Sequence, residues 1–205
     1  MIFISYYTKN TPYESVINEY LLPGLKKFNL QYDIQGVQDM GSWAHNTGYK
    51  SKFILEMLLK HKQDVCFIDA DGEILKYPEL LFNIPNTYNI AIHWLLWDLH
   101  WHNIENNEHL ELLSGTMVIK YKEKTIELLK KWIKAVEDNI EKKEQKTLQD
   151  IIEKNPEYSV YNLPVEYCVV PKHNGTIPKY IGEPIVYHHQ ASRKYKKRKN
   201  WGLDK

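Results

Sequence analysis

The chain has 205 residues, which suggests one domain, and a formal net charge of +1, so that its overall charge says little about its partners. Hydrophobic residues make up 43% of it, enough for a sizeable core, so intrinsic disorder is excluded as the default. Cys66 and Cys168 both lie in apolar runs, which indicates core thiols in a reducing compartment and not a disulfide framework.

The first third of the chain alternates strand and helix patterns. A kink or split is expected in its first helix at Pro23-Gly24, because proline cannot donate a backbone hydrogen bond. In chain order we predict a strand at 1–7, a helix at 12–29, a strand at 31–37, a loop at 38–49, a helix at 50–62 and a strand at 65–69.

The rest of the chain adds more strands and two amphipathic helices. The elements predicted here are strands at 88–95 and 109–120, the second one broken at Ser114-Gly115, helices at 122–142 and 144–154, and late strands at 158–164, 165–170 and 183–189. The early alternation predicts an α/β fold with a central, mostly parallel sheet flanked by helices. Ligands of such sheets bind at the carboxyl ends of the strands.

Asp69 and Asp71 stand at the carboxyl end of the strand predicted at 65–69. In extended chain, residues two apart point the same way, and two carboxylates aimed together repel unless a cation lies between them. Oxygen ligands favour a hard divalent ion such as Mg2+ or Mn2+. A metal site facing a diphosphate is therefore one interpretation, and an acidic turn that uses Gly72 is the other.

Several segments, taken in chain order, resemble the GT-A glycosyltransferases, enzymes that use nucleotide sugars and have a single Rossmann-like domain. They are the first strand with its Tyr-containing loop (SYYTKNTPY), the helix at 50–62 that leads into VCFIDADGEI, the segment LLSGTMVIK, the helices that end in EQKTLQDII, and the last strand PIVYHHQASRK. The resemblance covers most of residues 1–190 and leaves 191–205 as a basic C-terminal tail. It implies a metal-dependent transfer of a sugar from a nucleoside diphosphate sugar, with a UDP-sugar favoured, to an acceptor hydroxyl. It also implies Mn2+ or Mg2+ held by Asp69, Asp71 and a late histidine, for which we favour His188 over His189.

The same resemblance assigns residues to the donor. It implies that the basic residues after His188 neutralise the diphosphate, that the end of the first strand holds the base, that Lys52 contacts phosphate or ribose, and that backbone near Ser114 lies beside the sugar. The implied donor-binding residues are Tyr6, Tyr7, Thr8, Lys52, Asp69, Ser114, Gly115, Thr116, Arg193, Lys194 and Lys196.

Catalytic residues differ between the two stereochemical outcomes. An inverting enzyme needs a carboxylate base near the acceptor, and Asp98 and Asp150 are the candidates. Residues 144–148, EQKTL, resemble a segment of retaining members, which places Gln145 near the reacting carbon and slightly favours retention. The aromatic stretch 93–103, HWLLWDLHWHN, is interpreted as an acceptor-side loop or, equally, as a packed edge.

Two other function classes stay open on the sequence. A nucleotidyltransferase also binds metal through aspartates on a related sheet, although 8–15 lacks the glycines of its usual loop. A non-catalytic protein that binds glycan or nucleic acid would use the aromatic stretch and the basic tail. The acceptor is expected to be a glycan or modified DNA. No run approaches the ~20 apolar residues of a membrane span, so we expect a cytoplasmic protein, with a phage-encoded one in the host cytoplasm also compatible.

Overall fold

The computed structural model describes residues 1–105 and 109–195. Eight strands and a short 3₁₀ helix at Val165–Tyr167 are found in this part of the chain, together with eight helices. The strands are β1 (Ile2–Thr8), β2 (Tyr32–Val37), β3 (Val65–Ile68), β4 (Gly72–Ile74), β5 (Ile90–Leu96), β6 (Leu110–Ile119), β7 (Val160–Asn162) and β8 (Val186–His188). The helices are α1 (Tyr13–Glu19), α2 (Leu21–Lys27), α3 (Trp43–His61), α4 (Glu79–Phe82), α5 (Trp97–His102), α6 (Glu123–Asp138), α7 (Glu144–Lys154) and α8 (Ala191–Tyr195).

Six strands form the central sheet in the order β2-β1-β3-β6-β5-β7. Strand β6 is antiparallel to both of its neighbours, while the other pairs are parallel. Five strands therefore share one direction, which confirms the predicted mostly parallel sheet. A separate antiparallel pair, β4 and β8, lies beyond the end of β3 and sets Gly72 opposite His188.

Alternation along the strands divides the core between the two faces of the sheet. Phe3 and Cys66 join a cluster that includes residues of α1 and α2. Ile4 and Phe67 join the larger cluster, which includes residues of α3, α6 and α7. Helices thus cover both faces, as an α/β sheet requires for its buried strands.

Several predicted boundaries were wrong. The first helix does split, but at Tyr20, because Pro23 fits in the first turn of α2, where its missing N–H is not needed. The loop predicted at 38–49 contains the first turns of α3, which begins after Ser42, whose hydroxyl accepts a hydrogen bond from the His45 N–H.

Three further predictions need correction. The break expected at Ser114-Gly115 is a register shift in an unbroken strand β6. The strand predicted at 165–170 begins instead as the short 3₁₀ helix. The stretch 93–103 is not a loop, because it comprises the end of β5 and all of α5. The division into a domain at 1–190 and a tail at 191–205 stays a prediction, with Ala191 in α8 buried against the core.

Candidate active site

The two aspartates lie in a tight turn between β3 and β4. The Asp69 N–H donates to the Gly115 carbonyl at 2.8 Å, and the Gly72 N–H donates to the Asp69 carbonyl at 2.8 Å. The pairing of β4 with β8 then brings His188 to the same place from the far end of the chain. Ligand atoms of Asp69, Asp71 and His188 all lie within 4.8 Å of one another.

His188 is held by contacts on both ring nitrogens. Its Nδ1 is 3.5 Å from an Asp71 carboxylate oxygen, and its Nε2 is 2.9 Å from the Thr116 hydroxyl. A Cβ on Gly115 would meet the His188 Cε1 at 2.8 Å, so the ring occupies space that only a glycine leaves free. The side chain of His189 points elsewhere, to Glu73 at 2.7 Å. The structure thus brings His188, not His189, to the aspartates.

The charges in this cluster are unevenly balanced. Burial, together with repulsion from Asp71, raises the pKa of Asp69 despite the nearby Lys50 cation. Burial also acts on Asp71, but His188 and the Ala191 N–H outweigh it and lower the pKa of that carboxyl. Burial would lower the pKa of His188, yet the neighbouring Cys168 sulfur and Asp71 raise it to about 10. Two carboxylates and an imidazole that gather around one point fit a divalent ion such as Mn2+ or Mg2+, which His188 would bind after releasing its proton.

Lys50 is a site residue that the sequence interpretation does not select. Its ammonium is buried and lies 3.0 Å from an Asp69 oxygen and 3.1 Å from a Glu144 oxygen. It also donates to the Ser114 hydroxyl at 3.1 Å. Burial disfavours its charge, but the two carboxylates more than compensate and raise its pKa. Lys50 therefore stays protonated and ties α3, the turn after β3 and α7 together.

A cleft of about 380 Å³ opens above this cluster. Its walls come from the ends of the central strands and from α3, α5, α7 and α8. The residues that line it are Tyr6, Tyr7, Thr8, Thr11, Tyr13, Trp43, Asn46, Thr47, Lys50, Asp69, Ala70, Asp71, Leu95, Trp97, Trp101, Glu111, Leu113, Ser114, Lys143, Glu144, Gln145, Val170, His173, Gln190, Ser192 and Arg193.

Some of the residues expected to hold the nucleotide line the cleft in the structure, and one lies outside its lining. Tyr6, Tyr7 and Thr8 all line the cleft. The Tyr6 hydroxyl donates to the Asn46 carbonyl at 2.7 Å, which joins the end of β1 to the first turn of α3. Lys52 is exposed on α3 and lies outside the lining of the cleft among the described residues.

Ser114 and Gln145 meet at the point where β6 extends beyond the short strand β3. The Ser114 N–H, which has no strand partner there, donates to Gln145 Oε1 at 3.0 Å. One turn further along α7, Gln149 Oε1 accepts from the Leu112 N–H at 3.3 Å. Two glutamines of α7 thus take the place of a neighbouring strand, which keeps this edge of the sheet satisfied. The amide of Gln145 also donates to Glu111 at 3.1 Å.

The proposed base carboxylates lie outside the cleft in the described structure. Asp150 on α7 is paired with Lys142 and with Lys146, which lower its pKa. Asp98 on α5 lies 3.6 Å from the His109 imidazole. Neither residue lines the cleft. Glu111, which the sequence interpretation did not select, does line it.

The basic residues after His188 are only partly in reach. Arg193 lines the cleft, donates to the Lys172 carbonyl at 3.0 Å and lies 5.4 Å from the centre of the Trp101 ring. Lys194 is exposed and lies over the Tyr195 ring at 5.1 Å. Lys196 falls outside the described residues. Of the basic residues expected to neutralise the diphosphate, Arg193 is therefore the one that the described structure places in the cleft.

Comparisons with known proteins give a clear result for the fold alone. No protein-family model matches the sequence, and no curated protein matches it. Solved structures do match, and they are glycosyltransferases of the GT-A type. The chain therefore has the GT-A fold, with a DxD-like pair of aspartates at the expected strand end.

Three of these structures show the extent of the likeness. A glycosyltransferase involved in the glycosylation of the major capsid of PBCV-1 is 12% identical, with a TM-score of 0.64 over 92% of each chain. Mouse xyloside xylosyltransferase 1 is 12% identical, with a TM-score of 0.59 over 94% of this chain and 99% of that one. The galactosyltransferase LgtC is 12% identical, with a TM-score of 0.55 over 92% of this chain and 86% of that one.

Within residues 1–105 and 109–195, no helix combines the length and the apolar character that crossing a bilayer requires.

Proposed function

We propose that the protein is a metal-dependent glycosyltransferase that moves a sugar from a nucleoside diphosphate sugar, with a UDP-sugar favoured, to an acceptor hydroxyl. The observation that carries this proposal is the cluster of Asp69, Asp71 and His188 in a GT-A fold, with both aspartates lining the cleft. The matched proteins are glycosyltransferases, and LgtC was solved with donor and acceptor sugar analogues. Ligands of such sheets bind where this cluster lies.

Different residues of the cleft would bind different parts of the donor. A bound Mn2+ or Mg2+ ion would supply positive charge for the leaving diphosphate. Asp69, Asp71 and His188 would hold that ion. Lys50 stays charged beside Asp69 and fixes its carboxylate, and Arg193 supplies a second cation at the cleft. Tyr7 offers a ring face and a hydroxyl to the base, whereas the Tyr6 ring packs against Phe53 and its hydroxyl donates to Asn46.

We also propose that the transfer retains the configuration of the sugar. Gln145 lines the cleft beside Ser114, which supports a position next to the reacting carbon. Asp98 and Asp150, the carboxylates expected of an inverting base, are engaged with other residues outside the cleft lining. Proton NMR of the first product formed from an α-linked UDP-sugar tests this, since a β-linked product would reject retention.

Donor binding is the direct test of the function. A thermal-shift screen of UDP-sugars with and without Mn2+ should show stabilisation that needs both partners, because a ligand at 100 times its dissociation constant adds about 2.7 kcal/mol to the native state. Asp71→Asn should abolish this joint effect and lower turnover by roughly 100-fold, the loss typical of removing one charge-stabilising group. Stabilisation by UDP-sugars that is indifferent to Mn2+ would reject the metal site.

Matched controls lie next to the site. Glu73→Gln changes a carboxylate two residues after Asp71 whose partner is His189, so Mn2+ binding should persist. His188→Ala should weaken Mn2+ binding, whereas His189→Ala should not, because the His189 ring stacks on Tyr20 at 3.8 Å. Equal Mn2+ affinities of the two histidine variants would remove His188 from the ligand set.

A further inference from the structure

The cleft has a second end whose residues the donor does not account for. Strands β5 and β6 pair so that Leu95 lies opposite Glu111. Side chains two apart share a face of a sheet, and Leu95, Glu111 and Leu113 all line the cleft. Trp97 continues this face, since its N–H donates to the His109 carbonyl at 2.9 Å. An indole and a carboxylate therefore border the same part of the cleft.

Residues that face the other way on β5 and β6 line a different groove, as the alternation along the strands requires. Trp94 lies opposite Leu112, one residue out of step with Leu95 and Glu111. Trp94, Leu96 and Leu110 line a different groove, on the outer side of β5. The register of one strand pair thus assigns Trp97 to the cleft and Trp94 to the outside.

Two tryptophans form an aromatic wall at this end of the cleft. Trp101 is braced, because His173 stacks on it at 4.9 Å and Arg193 lies 5.4 Å from its centre. Trp97 has only tilted ring neighbours in the described chain, Trp101 at 5.6 Å and His109 at 5.7 Å. Both indoles rest on an apolar cluster that includes Leu95. Trp97 is therefore the ring that can receive a flat ligand.

Among the described residues, Glu111 is the carboxylate of the cleft that makes no ion pair, although the Lys143 cation of the same lining acts on it electrostatically and partly offsets its burial. Asp69 and Glu144 are both ion-paired with Lys50, and Asp71 is paired with His188. Glu111 instead accepts one neutral hydrogen bond from the Gln145 amide at 3.1 Å. Burial raises its pKa, which makes it a better proton acceptor than an exposed carboxylate. Its second oxygen has no partner among the hydrogen bonds of the described chain.

We propose that this end of the cleft binds a pyranoside acceptor, with its sugar ring against Trp97 and the reacting hydroxyl on Glu111. A pyranose has a face of C–H groups and a rim of hydroxyls, and an indole beside a carboxylate and an amide complements both. A nucleobase would instead need several in-plane donors and acceptors, whereas Gln145 already accepts from Ser114 and donates to Glu111. This assignment rests on the proposed function, because it places the acceptor beside the donor site.

The chemical step balances with residues of the chain. The acceptor oxygen forms a bond to the anomeric carbon on the face from which the diphosphate leaves, as the proposed retention requires, while the bond from that carbon to the diphosphate oxygen breaks. The diphosphate leaves with the bonding electron pair. The hydroxyl proton passes to the Glu111 carboxylate and then to solvent.

A direct binding experiment tests whether Trp97 contacts the sugar ring of the acceptor. Saturation-transfer NMR with a panel of methyl pyranosides, in the presence of UDP and diamagnetic Mg2+, reports contact between ring protons and protein. Trp97→Leu should weaken binding about tenfold, as expected for the loss of one ring contact, while Trp94→Leu should leave it within about twofold. Trp97→Phe, which keeps a ring, should weaken binding less than Trp97→Leu and keeps the comparison possible if the leucine variant unfolds.

Three outcomes of this experiment would overturn the proposal. These are saturation transfer to no pyranoside of the panel, equal losses in the Trp97 and Trp94 variants, and unchanged affinity in every Trp97 variant. Mg2+-dependent binding of UDP is measured on the same samples by thermal shift. Failure of UDP to bind would reject the proposed function, whereas binding of UDP without any pyranoside would reject only this inference.

A second pair of variants tests Glu111. Glu153 is its matched control, because Gln149 of the same helix donates to it at 2.7 Å, yet Glu153 lines the outer groove. With the UDP-sugar and pyranoside found above, Glu111→Gln should lower kcat about 100-fold, as expected for loss of a general base, with a smaller change in the KM for the pyranoside. Glu153→Gln should leave both unchanged. A kcat near the wild-type value in Glu111→Gln would remove Glu111 from the reaction.

Discussion

The two ends of the cleft are built by different means. The charged end, around Asp69 and Lys50, collects side chains that are distant in the sequence, such as Ala191 and Asp71, whose contact spans 120 residues. The aromatic end, around Trp97 and Glu111, is formed by neighbouring residues of one strand pair. The charged end thus depends on the complete fold, whereas the aromatic end depends on local register.

This difference has an energetic consequence. Each buried charge at the charged end is stable only with its partners, because an uncompensated buried ion is costly. Lys50 serves two carboxylates at once. A substitution there should propagate through several elements, while one at the aromatic end should remain local.

The largest effect is expected from Lys50→Met. It leaves the buried Glu144 carboxylate without its cation, and removal of one partner of a buried pair costs about 3–5 kcal/mol. Urea unfolding measures the loss, with Lys52→Met on the exposed side of α3 as a control expected within about 0.5 kcal/mol. Adding Glu144→Gln to Lys50→Met should recover part of the stability, since only Asp69 then remains as a carboxylate that has lost its cation.

The result that would contradict this is a Lys50→Met protein as stable as the wild type. The two carboxylates would then be solvated or protonated at little cost, and the charged end would be no more interdependent than the aromatic one.

Gly115→Ala should have the next largest effect. The added Cβ would meet the His188 ring at 2.8 Å, so the ring must move, and overpacking of this kind costs about 1–3 kcal/mol. Mn2+ affinity should fall roughly 10–100-fold, as it does when the support of a ligand is disturbed. Isothermal titration with Mn2+ measures this, and Thr116→Ser, which keeps the hydroxyl bonded to His188, is the control. Unaltered Mn2+ affinity in Gly115→Ala would mean that His188 does not bind the ion.

The aspartate pair and His188 could be predicted because local rules place them. Asp69 and Asp71 follow an apolar strand two residues apart, and adjacent histidines on a strand must face opposite sides. Lys50 also carries a signal that can be read from the sequence. It precedes the buried Phe53 and Ile54 by three and four residues, so helical periodicity places a charge on the apolar face of α3.

Other parts of the site could not be derived from the sequence. That Glu111 faces the cleft follows from the register of β6 with β5, and a slip of one residue would turn it outward. The role of Gln145 at the sheet edge depends on how far β6 extends beyond β3, which no local pattern encodes. Asp150 was chosen for its residue type, and only the fold reveals its pairing with Lys142.

The smallest effect is expected from Arg193→Ala, which acts where the two ends of the cleft meet. Arg193 contacts Trp101 of the aromatic wall and is proposed to face the diphosphate. Loss of this partly exposed cation–π contact should cost about 0.5–1 kcal/mol of stability, and the KM for the UDP-sugar should rise about threefold to tenfold, since one hydrogen-bonded charge is removed. Arg193→Lys should give a KM for the UDP-sugar between those of the wild type and Arg193→Ala, because lysine keeps the charge but not the planar guanidinium. Lys179→Ala, an exposed lysine outside the cleft lining, serves as the control in the same steady-state assay. A rise in the KM for the acceptor alone would assign Arg193 to the aromatic end and would show that the two ends are less separate than their construction suggests.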